Sequence, residues 1–336
     1  MNIRLCKKCG FILGTKPHLK EVEGVCLACI NDISKKTINF TERQEWLTKY
    51  ISENKTHAKY DCVVAVSGGK DSRSIVKRLT SHHGVKSPLL VTVHDEFTST
   101  QAGASNRRTI SEYFGCDHIM FRCNPEEFRF HTKEDFEKEL HPLKWLERRL
   151  YEIPFEIARD FGIRLVFFGE NSDFEYGSST ELNIFHPLSC DDVKVLFFGA
   201  IWPYSIHDSL NVARECGFKD LDDYNEWQRS GTIENFGQID SIGYLVHLWC
   251  KFVKFGFQRV SDIACRFVRD GILTREQAVL LIKENDWRLD QASKRDFCRT
   301  LNITESHFDE VVDQFANLDL LYKDINGNWK RTDFRE

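Results

Sequence analysis

No stretch of the 336 residues approaches the roughly 18 uninterrupted apolar residues that a membrane-spanning helix requires. The N-terminus, MNIRLCKKCG, is basic but is followed by neither an apolar run nor a small-residue cleavage site. It does not read as a secretory signal, and a cytoplasmic location is expected. Basic charge is not in excess either: 46 Lys and Arg stand against 51 Asp and Glu, a net charge of −5. That balance argues against a surface dedicated to nucleic-acid phosphates, although a local basic groove is compatible with it. Internal repeats and low-complexity tracts are absent, and 41% hydrophobic residues with 29% charged ones exclude a disordered chain. The length predicts two domains plus a small appendage.

Cysteine, by contrast, is plentiful, with 12 residues. In a chain without a secretory signal these are not expected to form disulfides, which leaves metal binding and core packing. Cys6, Cys9, Cys26 and Cys29 form a C-x2-C-x16-C-x2-C pattern, in which each tight pair can bend back and present two thiolates to one tetrahedral ion. Gly10 allows the turn after the first pair, and Lys7 and Lys8 offset the thiolate charge. A structural zinc ribbon is predicted over residues 1–40. Cys62, Cys116, Cys123, Cys190, Cys216, Cys250, Cys265 and Cys298 form no such pair and read as core, with Cys190, before an acidic pair, left open.

A T-x-x-Q spacing at Thr41 to Gln44 predicts a capping box that opens a helical connector over 41–57. From Tyr60 the pattern changes to short apolar runs between helical segments: Cys62 to Val66, Pro88 to Val93, His118 to Phe121 and Arg164 to Phe168. Near-continuous apolar strands alternating with helices predict an α/β fold with a parallel sheet over 58–200. Residues 125–160 read as an amphipathic helix or helical pair. Past Ala200 helical periodicity takes over, with a second capping-box pattern at Thr274 to Gln277, and a helical domain is predicted over 201–336.

Chemistry begins where the first strand of the sheet ends. Ser67-Gly68-Gly69-Lys70-Asp71-Ser72 lies between an apolar strand and a helix, so its glycines let backbone amides approach an anion at a helix N-terminus. It is not the Walker loop, whose order and spacing differ. SGGKDS resembles the PP-loop of the ATP pyrophosphatase superfamily, whose members split ATP between its α and β phosphates. That resemblance implies ATP and Mg2+ as cofactors, with Ser67, Gly68, Gly69, Lys70 and Ser72 on the pyrophosphate and Asp71 on magnesium. Topology alone places adenine near Val93, His94 and Asp95.

A second cluster, Gly169-Glu170-Asn171 with Glu175-Tyr176-Gly177, begins where the fourth expected strand ends, the edge at which open α/β sheets bind ligands. The pattern G-E-N-x3-E-Y-G resembles the N-acetyl sugar amidotransferase family, a PP-loop branch. Trp202-Pro203-Tyr204, the run from Lys254 to Arg259, then Ile263, Arg266, Gly271, Leu273 to Arg275 and Ala278 extend the likeness over nearly the whole chain. The chain departs from the family pattern at Ser172, Ser178 and Ser179, near the expected substrate, so the sugar itself stays open.

The family implies an ATP-dependent, AMP-forming carbon-nitrogen ligase that adenylates the acetamido oxygen of an N-acetylated sugar and replaces it with ammonia. The product is an acetamidino group, and the setting is lipopolysaccharide O-antigen or related glycan biosynthesis. Nucleotide sugars and nonulosonic acids such as pseudaminic or legionaminic acid are the candidate substrates. The implied catalytic residues are Lys70, Asp71 and Glu170, with Gly169 beside the nucleotide. Asn171, Glu175 and Tyr176 would grip the sugar, with loop packing as the competing use of the last two. Arg259 and Arg266 would meet an anionic group, or else sit on helix faces like Arg269 and Arg275. His82, His83, His207 and His247 show no ligand spacing and are expected to be loop or packing residues.

Ammonia needs a source. The sequence has no G-x-C-x-G elbow, and Asn2 stands where an N-terminal cysteine nucleophile would be, so a separate glutaminase partner is expected. The main alternative is a tRNA-modifying PP-loop enzyme, a thiolase or an amidine- or lysidine-type synthetase. The acidic balance and the lack of a C-x-x-C inside the sheet domain oppose it. A zinc-ribbon protein that merely senses ATP is a third reading, opposed by the G-E-N cluster.

Overall fold

The computed structural model describes residues 3–335, so Asn2 lies outside it. Two small hairpins open the chain: β1 (Arg4–Leu5) with β2 (Ile12–Leu13), and β3 (Glu21–Val22) with β4 (Val25–Cys26). Helices α1 (Leu27–Lys35) and α2 (Phe40–Glu53) follow. The α/β region runs β5 (Cys62–Ala65), α3 (Lys70–His82), β6 (Pro88–His94), α4 (Gln101–Phe114), β7 (His118–Arg122), α5 (Pro125–Glu139), α6 (Lys144–Asp160), β8 (Leu165–Phe168), α7 (Ser172–Tyr176) and β9 (Lys194–Phe197). The last third holds α8 (Ile206–Glu215), α9 (Tyr244–Phe255), α10 (Arg259–Arg269), α11 (Arg275–Asn285), α12 (Gln291–Leu301) and α13 (Glu305–Phe315). It closes on a hairpin of β10 (Leu321–Lys323) and β11 (Trp329–Arg331), which the helical periodicity of this region did not predict.

The sheet is parallel throughout, in the order β7-β6-β5-β8-β9. Strand β5 lies at its centre, which explains its unbroken apolar sequence. Cys62, Val64 and Val66 pack to one side with Leu79 and Leu90, and Val63 packs to the other with Leu89, Val91 and Phe168. A strand covered on both faces has no polar positions to alternate with. The four expected strands are present, and β9 adds a fifth that the sequence reading passed over.

Helix α2 starts two residues earlier than expected. Asn39 is its cap, with the side-chain oxygen accepting from Glu42 N at 3.1 Å, so Thr41 lies inside the first turn. The capping box at Thr274 and Gln277 is present at the start of α11. Residues 125–160 form the pair α5 and α6. Its inner faces are buried at Phe128, Phe136, Leu146 and Ile153, and Phe136 stacks on Phe308 of α13 at 5.2 Å.

The N-terminal ribbon packs far from its sequence neighbours. Its cysteines share a core with Val260 and Ala264 of α10 and Ala278 and Ile282 of α11. Gly10 has φ +83°, and a Cβ there would lie 2.6 Å from Val279 Cγ2, so both the turn and the close approach require glycine. Helix α1 in turn braces α7: Asn31 Nδ2 donates to the carbonyls of Phe174 (2.7 Å) and Ser179 (2.8 Å). Among the described residues, no helix is long and apolar enough to cross a membrane.

Candidate active site

The C-terminal ends of β5, β6 and β8 define the site. At the end of β5, Gly68 has φ +92°, and a Cβ on it would stand 2.8 Å from the Arg107 backbone nitrogen. Gly69 precedes the first residue of α3, so the loop amides and the positive end of a 13-residue helix face one small space. Ser67 N donates to Ser72 Oγ at 3.0 Å, and Gly69 N to Ser67 Oγ at 3.2 Å. Ser72 is therefore used to shape the loop, and Ser67 Oγ is partly so used.

Lys70 is 6% exposed; its Nζ donates to Asp71 Oδ2 at 2.5 Å and to Tyr204 Oη at 3.4 Å. The other oxygen, Asp71 Oδ1, is buried without a partner. An unsatisfied anionic oxygen beside a phosphate cradle fits a hard divalent cation such as magnesium.

Arg266 of α10 closes the opposite side. Its Nη2 donates to Glu170 Oε2 at 3.2 Å, and its Nη1 lies 3.7 Å from Glu175 Oε2. Its guanidinium covers the rings of Tyr204 at 4.7 Å and Tyr176 at 5.4 Å. Burial alone would weaken its charge, but Glu170, the two tyrosines and Glu175 outweigh burial and hold Arg266 firmly protonated. Tyr176 is pushed above the ordinary phenol range by Glu170 and by burial, and Tyr204 by burial and by Asp71, so both remain hydroxyl donors. Glu175 is 7% exposed and also bonds Lys35 of α1 at 2.6 Å, which links the ribbon to the site.

A buried network that the sequence reading did not find holds the segment before α9 over the loop. Glu234 accepts from Arg259 Nε at 3.1 Å, lies 3.3 Å from Arg229 Nη2, and accepts from Gly237 N at 2.6 Å. Burial opposes ionisation of Glu234, yet Arg259 and Arg229 bring its carboxyl below the ordinary value.

Three cavities adjoin here. A phosphate-sized one of about 120 Å³ is lined by Ser67, Lys70, Asp71, Glu170, Tyr204 and Arg266. One of about 240 Å³ lies over the end of β6, lined by Val93, His94, Asp95 and Arg107. The third, about 590 Å³, runs between the ribbon, α6 and α9, past Lys16, Tyr151, Glu170, Tyr176 and Arg259. Burial raises the carboxyl of Asp95 to about 6, against the bond that Ser241 Oγ donates at 2.6 Å.

The expected residues divide clearly. Ser67, Gly69, Lys70, Asp71, Glu170, Tyr176, Arg259 and Arg266 meet around the smallest cavity. Asn171 does not serve as a free sugar ligand. It is 4% exposed and caps α7, accepting from Phe174 N at 3.2 Å while its Nδ2 donates to the Asn183 carbonyl at 3.1 Å. Gly169 turns its carbonyl to Gly199 N at 3.0 Å, and it lines none of the three cavities. His83 packs as expected, accepting from Trp202 Nε1 at 2.8 Å. His247 does more: its Nε2 lies 3.1 Å from Glu147, whose other oxygen lies 3.0 Å from His141, on the wall of the 590 Å³ cavity. Cys190 is exposed.

The four ribbon cysteines are buried, and their sulfurs all lie within 4.8 Å of one another. Cys26 N donates to Cys6 Sγ at 3.3 Å, and Cys265 Sγ donates to the Cys9 carbonyl at 3.4 Å. Four convergent sulfurs with a backbone donor fit a tetrahedral metal, closed to substrate.

Residues 230–334 match the family described as LPS biosynthesis protein WbpG-like, C-terminal domain. An uncharacterized protein of Methanocaldococcus jannaschii is 20% identical over 279 residues, 81% of this chain and 91% of that protein. Solved structures to which the chain is similar include an NH3-dependent NAD synthetase from Campylobacter jejuni (12% identity, 54% of this chain, 75% of that chain, TM-score 0.36). An NMN synthetase from Francisella tularensis is 10% identical over 79% of this chain and 94% of that one, with TM-score 0.39. A U34-tRNA thiolase from Methanococcus maripaludis with its four-iron, four-sulfur cluster is 16% identical over 65% and 74%, with TM-score 0.35. The match of the last third of the chain to the WbpG-like C-terminal domain family is consistent with the resemblance of the whole sequence to N-acetyl sugar amidotransferases of the PP-loop superfamily.

Proposed function

We propose that this chain is an ATP-dependent, AMP-forming amidotransferase that converts the acetamido group of a sugar to an acetamidino group during surface-glycan biosynthesis. One observation carries the reading. The WbpG-like segment supplies Gln238, Arg259, Asp262 and Arg266 to the same small cavity that the glycine loop opens into, so nucleotide and sugar-pathway elements form one site.

The 240 Å³ cavity over β6 suits adenosine, the loop suits the β and γ phosphates, and the 590 Å³ cavity is large enough for a sugar. The acetamido oxygen attacks the α-phosphorus, the bond to the β-phosphate oxygen breaks, and pyrophosphate leaves. Lys70 and the loop amides face the charge that gathers on pyrophosphate. Asp71, through its unpartnered oxygen, would hold magnesium, which neutralises phosphate charge when bound. Ammonia then attacks the activated carbon, and AMP departs. Glu170 pairs with Arg266 at the junction of the phosphate and sugar cavities, placed to orient the sugar or the incoming ammonia. A separate glutaminase would deliver that ammonia, and the ribbon would hold structural zinc.

The test is pyrophosphate release from ATP with ammonium chloride, offered acetamido nucleotide sugars, free nonulosonic acids or bulk tRNA in turn. Sugar-dependent release supports the reading; release dependent only on tRNA replaces it with the tRNA-modifying alternative. Turnover driven by glutamine with the chain alone would remove the separate glutaminase.

A further inference from the structure

Among the described residues, Gln238 alone lines all three cavities. Ser67 and Asp240 border the phosphate and β6 cavities, and Tyr244 borders the β6 and large ones. The α-phosphate of ATP lies covalently between adenosine and pyrophosphate, and in-line attack must come from a third direction. The residue common to three such spaces therefore stands beside the reacting phosphorus.

The backbone agrees. Gln238 has φ +52°, a left-handed conformation that costs a non-glycine residue on the order of 1 kcal/mol. It is held there by Arg229, whose guanidinium donates to the carbonyls of Gly237 (2.9 Å) and Gln238 (3.1 Å). The Arg229 side chain is 2% exposed and paired with the buried Glu234 carboxylate. A glycine or asparagine would relieve the strain, so the fold sustains a long carboxamide at this point. Among the described residues that carboxamide has no hydrogen-bond partner, and both its N–H donors and its oxygen are available.

Resting on the function proposed above, we propose that Gln238 binds the α-phosphate and the acetamido group together. Its Nε2 donates to a non-bridging α-phosphate oxygen, and its Oε1 accepts the acetamido N–H. When the acetamido oxygen bonds phosphorus and pyrophosphate leaves with its electron pair, the nitrogen keeps its proton and takes up positive charge. The carboxamide oxygen faces that charge, while the amide donor faces the phosphate. A neutral amide meets both demands; a carboxylate would meet the first and repel the second.

Two measurements test this. Calorimetry with AMP and, separately, with pyrophosphate compares wild type with Gln238→Glu. The added charge should weaken AMP by about tenfold or more and leave pyrophosphate within about twofold. Steady-state pyrophosphate release compares wild type with Gln238→Gly, whose backbone favours the native conformation, so its Tm should match or exceed wild type. Its kcat should fall by about 100-fold, with KM for MgATP within about threefold, and Gln238→Asn should restore part of the loss. Unchanged AMP affinity in Gln238→Glu, or kcat within about threefold of wild type in Gln238→Gly, would overturn the inference. Should wild type release no pyrophosphate with any acetamido sugar, the substrate reading falls, and the AMP arm alone decides where Gln238 stands.

Discussion

Arg266 offers the sharpest mutational test because three kinds of interaction converge on one buried guanidinium. It is 5% exposed, bonds Glu170 at 3.2 Å, lies 3.7 Å from Glu175, and covers two aromatic rings. Arg266→Met keeps the length and removes the charge. Glu175 retains Lys35 at 2.6 Å, but Glu170 is left without its cation. Breaking a buried pair in this way costs about 4 kcal/mol. With an unfolding entropy of about 0.7 kcal/mol/K for a chain of this length, Tm should fall by about 6 °C. The mechanism predicts a further result: adding Glu170→Gln to Arg266→Met should recover about 1–2 kcal/mol, because much of the loss is the stranded carboxylate. Scanning calorimetry of the two single variants and the double variant gives the coupling directly. A Tm for Arg266→Met within about 1 °C of wild type, or strictly additive losses, would refute the reasoning.

Two further predictions concern the groups around this centre. Burial lifts the Asp95 carboxyl to about 6, above its unfolded value, so the stability it lends is complete below about pH 4 and is lost as pH rises through about 6. Asp95→Asn keeps acceptors and donors for Phe97 N and Ser241 Oγ; it should raise stability by about 1–3 kcal/mol at pH 8 and leave it nearly unchanged at pH 4. Denaturant midpoints at the two pH values check this, and an equal change at both would contradict it. Cys26→Ala should lower bound zinc and Tm together, because the ribbon shares its core with α10 and α11 and braces Glu175 through Lys35. Metal analysis by atomic emission beside a melting curve decides it; a zinc-free variant with wild-type Tm would show the ion dispensable.

What the sequence made legible is what lies close together along it. Ser67 to Ser72 declares a loop because two glycines, a lysine and the flanking strand and helix are contiguous. The ribbon declares itself by two tight pairs, and β5 by its unbroken apolar run. The misread residues take partners that no motif announces, whether near or far along the chain. Asn171 sits next to Glu170 and looks like a ligand, yet its carboxamide is used up by Phe174 and Asn183. His247 reads as packing until the fold brings Glu147 to it across 100 positions. Gln238 carries no motif at all; its importance comes from a left-handed backbone and from three cavities that only the folded chain assembles. Strand β9, at the sheet edge, runs straight into a turn at Phe198–Ala200 with no polar break in the apolar sequence to mark its end.

The most direct measurement is pyrophosphate release from MgATP by the purified chain with ammonium chloride, with and without an acetamido nucleotide sugar or nonulosonic acid, followed by mass analysis of the sugar. The account predicts release that requires the sugar, one AMP per pyrophosphate, and a product about 1 Da lighter, as replacement of the acetamido oxygen by NH demands. Release that requires tRNA instead, or a sugar of unchanged mass, would contradict it.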